Sequence, residues 1–212
     1  MIIIGCCTKK KRGELEALRS RLTLYLDKRE GKLIITSAQG ICSAYNQIIE
    51  ESLSEKNINF TVFMHDDLYI LDDQWAEKLL LHFNVHRHAG IAGAIGASKL
   101  KSLEWWQNSS TAGSIHETRG FIHLGQQRQK VDAIDGCFMA VTKKAMECTK
   151  FDEHNFDSFH GYDIDYCYEA SSKGIDTHVV PIDLFHATKG GLGDKESYER
   201  AKQSFYNKWL KA

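Results

Sequence analysis

An α/β fold built on a mostly parallel, doubly wound sheet is what the sequence predicts, on three observations. Apolar runs of strand length alternate with stretches of helical periodicity up to residue 96. Those runs are nearly continuous in apolar residues, as strands covered on both faces require. The run Ile91-Ala92-Gly93-Ala94-Ile95-Gly96 is small as well as apolar, which suits a central strand with helices packed close to it. In such a sheet ligands bind beyond the carboxyl ends of the strands, so the residues at those ends carry the functional argument.

Residues 2–7 (Ile-Ile-Ile-Gly-Cys-Cys) form the first buried strand, and Thr8 follows it. Leu15, Leu18, Leu22 and Leu26 stand at helical spacing and predict an amphipathic helix over about 10–30. Lys9, Lys10, Lys11 and Arg12 ahead of it read as a solvated charge run. A second strand, 33–36, leads into the loop Ser37-Ala38-Gln39-Gly40, and a helix over 43–53 turns Ala44, Ile48 and Ile49 inward. The third strand, Phe60-Thr61-Val62-Phe63-Met64, stops at His65-Asp66-Asp67. Adjacent ionised carboxylates at the end of a buried strand need water or a cation. A divalent metal carrying phosphate oxygens supplies one explanation, and a turn cap supplies another.

A helix beginning near Asp73 buries Trp75, Leu79 and Phe83, with Asp72 or Asp73 as its cap. Periodicity then fails over 98–130, where Trp105, Trp106, Asn108, Ser109 and Ser110 lie in a stretch expected to be a long loop or short hairpin. Trp105 and Trp106 either pack that loop down or stack on an acceptor. Residues 131–141 are strand-like with an interruption at Asp135-Gly136, and Thr142 caps a short helix. Another helix opens near Tyr162 and ends at Gly174. Asp163 and Asp165 in its first turn complement the dipole, and at a spacing of two they point in different directions. Residues 177–182 make a short strand placed at an edge by Pro181, and the last helix carries Tyr198, Phe205 and Trp209.

Composition narrows the function. The 212 residues suit one domain, 1–212, with halves at 1–97 and 98–212. A net charge of -1 argues against a nucleic-acid partner. No apolar run reaches the roughly 20 residues needed to span a bilayer, and no signal peptide is evident, so a cytoplasmic location is expected. The six cysteines include no C-x-x-C pair and are expected to be free thiols.

Four landmarks, Ala44-Tyr45-Asn46, His65-Asp66-Asp67, Asp135-Gly136-Cys137-Phe138-Met139 and Gly161-Tyr162-Asp163-Ile164-Asp165, occur in an order that resembles a GT-A glycosyltransferase of the family 2 type. His186-x-Thr188-x-Gly190 is similar to that family's downstream histidine element. The resemblance implies a GT-A fold with a small acceptor-side subsheet, a nucleotide-sugar-binding first half and an acceptor-binding, catalytic second half. It implies inverting transfer of a sugar from a nucleoside diphosphate to an acceptor hydroxyl, in polysaccharide or glycolipid synthesis.

By the same resemblance Asp163 is the general base, and Asp67 and His186 hold Mn²⁺ or Mg²⁺. Thr8, Ser37, Asn46 and Asp66 contact the donor; Gly136, Tyr162 and Trp105 lie on the acceptor side. The partners implied are a nucleotide sugar and a saccharide or lipid-linked acceptor, with peripheral membrane association compatible. Cys6-Cys7-Thr8 and Thr36-Ser37-Ala38-Gln39 stand where family members carry a Pro-containing sequence and an acidic cluster, and Tyr162 replaces a carboxylate. Two other readings keep the fold: a non-catalytic sugar-nucleotide-binding domain, and a nucleotidyl transferase or hydrolase. The latter would need a phosphate-cradling loop that Gly5-Cys6-Cys7-Thr8-Lys9-Lys10 does not supply. His65 receives no role.

Overall fold

The computed structural model describes residues 1–212 apart from 28, 39, 108, 109, 157, 192 and 212. Asn108 and Ser109 of the irregular stretch therefore lie outside the described residues. The chain begins β1 (Ile2–Cys7), α1 (Arg12–Leu24), β2 (Gly31–Thr36), α2 (Ile41–Leu53) and β3 (Phe60–Met64). β1 pairs in parallel with both β2 and β3. Every residue of β3 is buried, which explains its unbroken apolar character. α1 is shorter than its leucine spacing suggests.

Next come β4 (Leu68–Ile70), α3 (Trp75–Val85), β5 (Ala89–Gly93) and β6 (Ile95–Ala97). The single strand expected at 91–96 is thus two, one in each of two sheets. Its small residues let the chain pass from one sheet to the other. The stretch 98–130 is more ordered than expected. It holds a single 3₁₀ turn (Trp105–Gln107), then β7 (Thr111–Glu117), β8 (Gly120–His123) and β9 (Gln129–Val131). β7 and β8 form the hairpin. β7 opens with Thr, Ala, Gly and Ser, a weak strand sequence, and is held by pairing with β6 over 111–113, with β8 over 114–117 and with β13 (Leu184–His186) over 116–117.

The remaining elements are β10 (Ala133–Ile134), β11 (Phe138–Thr142), α4 (Lys143–Cys148), α5 (Tyr162–Ser172), β12 (Asp176–Val179) and α6 (Lys195–Phe205), closed by a π-helical turn at Tyr206–Leu210. One sheet runs β2-β1-β3-β11-β5-β12-β9, the other β10-β6-β7-β13-β4 with β8 on β7. The first is mixed: β11 is antiparallel to β3 and β5, and β9 to β12. The second, with six strands, is larger than a small subsheet. β12 is interior, between β5 and β9, contrary to the edge expected from Pro181, which lies beyond the strand and interrupts no ladder. The Thr142 cap is present, its hydroxyl accepting from Ala145 N–H. Asp72 accepts from Gln74 N–H at 2.9 Å ahead of α3.

Asn46 contradicts its expected donor role. It is 8% exposed, and its amide donates to the Phe151 carbonyl and accepts from the Phe151 N–H, each at 2.9 Å. Asn46 therefore clips α2 to the segment before α5 and is absent from the cavity described below. Replacement by Ala would leave both Phe151 backbone groups buried and unpaired, at about 1–3 kcal/mol for each group. Asn46→Ala is expected to lower the unfolding free energy, measured by denaturant titration, by that order while nucleotide affinity, measured calorimetrically, stays within twofold. A large loss of nucleotide affinity in a stably folded variant would restore the donor role. Among the described residues no helix is long and apolar enough to cross a membrane, and the six cysteines are free.

Candidate active site

The carboxyl ends of β1 and β3, the turn between β10 and β11, the start of α5 and the end of β13 enclose one cavity of about 1090 Å³. Thr8, Asp66, Asp67, Trp105, Gly136, Tyr162, Asp163 and His186 all line it. Ser37 does not: it is exposed, and Ala38, Gly40 and Ile41 form the wall beyond β2 instead.

His65, Asp66 and Asp67 form the turn between β3 and β4, closed by the Leu68 N–H donating to the His65 carbonyl at 3.3 Å. His186 Nε2 lies 3.2 Å from an Asp67 carboxylate oxygen and 3.4 Å from His65 Nδ1. These three donor atoms lie within 4.8 Å of one another. Asp67 takes a hydrogen bond from His186 that holds its carboxyl below the usual range. Burial works against a charge on His186, yet the same hydrogen bond and the Asp67 charge raise it. His65 moves the opposite way, pushed down to about 4 by burial, with the charge on His186 adding to the effect. One imidazole of the pair is thus held neutral.

That donor set fits a divalent cation. Two ligand atoms each about 2.1 Å from an ion stand roughly 3.0–3.4 Å apart at right-angled or tetrahedral geometry, which matches the two spacings that His186 makes, 3.2 Å to Asp67 and 3.4 Å to His65. Two imidazoles with one carboxylate suit Mn²⁺ and its transition-metal neighbours better than Mg²⁺. His65, which the sequence left without a role, is the third member of this candidate cluster. The available signal was its spacing of two from Asp67 at a strand end.

Asp66 sits on the other side of that turn. Its carboxylate accepts from the Thr8 hydroxyl and pairs with Lys10 at 2.8 Å. Its carbonyl accepts from Arg21 at 2.8 Å. Lys10 is accordingly an ion-pair partner and not part of a solvated run, and Asp66 ties the Thr8–Lys10 turn to β3.

Asp163 lines the same cavity from the first turn of α5. One carboxylate oxygen accepts from Gly136 N–H at 2.7 Å and the other from Ile164 N–H at 2.9 Å. Burial pushes its carboxyl up to about 7 and the nearby Asp135 charge pushes the same way, against those two N–H donors. Asp135 also lines the cavity, and its carboxylate accepts from Cys137 N–H. Asp165 points elsewhere, as its spacing predicts: it is 1% exposed and bonds Trp209 Nε1 at 2.7 Å and Lys208 at 2.9 Å. Tyr162, expected to face the acceptor, has its hydroxyl 2.8 Å from His65 Nε2 instead. Trp105 is packed down at 7% exposed, whereas Trp106, at 46%, and Phe159, at 56%, offer open ring faces on the same cavity.

Residues 8–209 match a family described as glycosyltransferase-like. Streptomycin biosynthesis protein StrF of Streptomyces griseus is 25% identical over 126 residues, which are 58% of this chain and 43% of that protein. The chain thus spans less than half the length of this curated relative. Three solved structures share the fold at low identity. GalNAc-T7 with UDP, GalNAc and Mn²⁺ superposes with a TM-score of 0.58 at 10% identity, over 99% of this chain and 48% of that one. A glycosyltransferase involved in glycosylation of the major capsid of PBCV-1 gives 0.51 at 10% identity, over 96% and 98%. A197 from STIV gives 0.53 at 12% identity, over 89% and 86%. The two sheets carry a GT-A arrangement, and with a match that leaves out only residues 1–7 and 210–212, the chain belongs to the glycosyltransferase-like family.

Proposed function

We propose that this protein is a metal-dependent inverting glycosyltransferase. The observation that carries the reading is that the His65–Asp67–His186 cluster and Asp163 line one cavity. The cavity exceeds the roughly 300–1,000 Å³ that suits one drug-sized ligand, so donor and acceptor have room to meet in it. A divalent metal held by His65, Asp67 and His186 supplies the positive charge that neutralises a departing nucleoside diphosphate.

The nucleotide lies toward Thr8, Ala38, Gly40 and Ile41, where Asp66 holds the turn in shape through Thr8 and Lys10. The acceptor hydroxyl approaches from the side of Asp163, which takes its proton as the new bond forms at the anomeric carbon. A base poised near neutrality suits that work, and the two backbone N–H donors on Asp163 fix its direction. Attack from this side, opposite the leaving group, inverts the anomeric centre. Trp106 and Phe159 give a sugar or other acceptor an apolar face to lie on.

A thermal-shift screen of nucleoside diphosphates and sugar nucleotides, with and without Mn²⁺, tests the reading. A ligand at 100 times its dissociation constant stabilises by about 2.7 kcal/mol, or about 5–10 °C for a chain of this size. The expected result is a shift of that order for one nucleotide series with Mn²⁺ present and a much smaller one without it. No shift for any nucleotide would count decisively against donor binding.

A further inference from the structure

The link between the two halves of the site is Tyr162. Its ring is 3% exposed, packed against Tyr45 with centroids 5.8 Å apart and against Phe151 at 6.1 Å. It opens α5 directly after Gly161, whose φ of +77° is a left-handed conformation that glycine adopts without strain. The hydroxyl is thereby fixed in place and meets His65 Nε2 at 2.8 Å, while His65 Nδ1 faces His186. Phe159 covers the other side of that imidazole, with ring centroids 4.8 Å apart. Rotating the His65 ring by half a turn would put carbon atoms where both nitrogens now stand.

We propose that Tyr162 is a positioning residue for the metal site: its hydroxyl accepts from His65 Nε2–H, so that the Nδ1 lone pair is turned toward Asp67 and His186. This rests on the reading of that cluster as a metal site. Ligating histidines are commonly held by a partner on the second ring nitrogen, which sets both tautomer and orientation. Gly136 belongs to the same device. A Cβ there would collide with the Tyr162 hydroxyl, stand 2.6 Å from its ring carbon Cζ and come within 2.9 Å of Asp163 Cβ. Gly136 is thus glycine because the hydroxyl and the base occupy the space beside it. Tyr162 and Asp163 are neighbours at the start of α5, so a side chain at position 136 would displace the hydroxyl that meets His65.

The test is Mn²⁺ affinity of the full chain, read without catalysis from the loss of the free-ion electron paramagnetic resonance signal, with folding followed by thermal melting. Tyr162→Phe removes one oxygen and keeps the ring, and it is expected to weaken Mn²⁺ binding about 10–100-fold. Gly136→Ala is expected to act in the same direction. Because an imidazole ligand favours Mn²⁺ over Mg²⁺, the Mn²⁺-to-Mg²⁺ affinity ratio should also fall in Tyr162→Phe. Mn²⁺ affinity within threefold of wild type in folded Tyr162→Phe, alongside a large loss in His65→Ala, would overturn the positioning role and leave the metal site standing. No Mn²⁺ binding by the wild-type chain would overturn both.

Discussion

Asp163→Asn is expected to reduce the turnover rate by about 10³-fold, within the 10²–10⁴ that a positioned general base contributes, while donor affinity stays within twofold. Under the proposed function the donor's metal-facing end meets the His65, Asp67 and His186 cluster and not Asp163. Both Asp163 oxygens accept backbone N–H groups, and an Asn can accept at only one of them. The variant therefore loses about 1–3 kcal/mol, partly offset by relief from the Asp135 charge. Calorimetric donor binding and a thermal melt separate a lost base from a lost fold. Transfer at the wild-type rate in the folded variant would remove Asp163 as the base.

The pH profile gives the same residue a second signature. With its carboxyl raised to about 7, the wild-type base is ionised only above that point, so kcat/KM should climb with pH through about 7 and then level off. The stability contribution has the opposite slope. A carboxyl raised on folding favours the native state fully below its unfolded value near 3.9, and that contribution is lost as pH rises through about 7. Comparison with Asp163→Asn isolates both effects, since both should vanish in the variant.

Removal of the metal is expected to be as severe. Chelation should depress transfer by about 10³-fold, equivalent to the several kcal/mol that a bound cation contributes to charge stabilisation, and Mn²⁺ should restore it. His65→Ala, Asp67→Ala and His186→Ala should each weaken Mn²⁺-dependent nucleotide binding. Metal affinity should rise with pH, because His186 is raised and must give up its proton to bind. Nucleotide binding that ignores chelator and all three substitutions would refute the assignment.

The two carboxylates after β3 illustrate how much was legible in the sequence. Strand length, unbroken apolar character and the abrupt stop at Asp66 and Asp67 could be read directly, because they follow from local pattern. Their division of labour could not, because both lie in the turn between β3 and β4, and only the fold sets Asp66 against Thr8 and Lys10 and Asp67 against His186. Asp165 was separable from Asp163 by its spacing of two on a helix, and the structure turns it toward Trp209 and Lys208. β7 was illegible because a Thr-Ala-Gly-Ser start has little strand preference of its own and is held by its neighbours. Ser37 after β2 and Asn46 within α2 stand outside the cavity, which the sequence could not show, because a polar residue looks the same there whether it faces a ligand, solvent or a neighbouring backbone.

The chain by itself determined the α/β class, the alternation of strand and helix through β1, α1, β2, α2 and β3, the acidic strand end and the family resemblance. All of these rest on spacings within a few residues or on ordered landmarks. Tertiary structure alone decided the rest: the mixed sheet, the Asn46 clip, the Lys10 ion pair and the triad of His65, Asp67 and His186. His65 and His186 are 121 residues apart in sequence and 3.4 Å apart in space. No local pattern encodes that approach, because it depends on the pairing of β13 with β4, where His186 stands opposite Leu68.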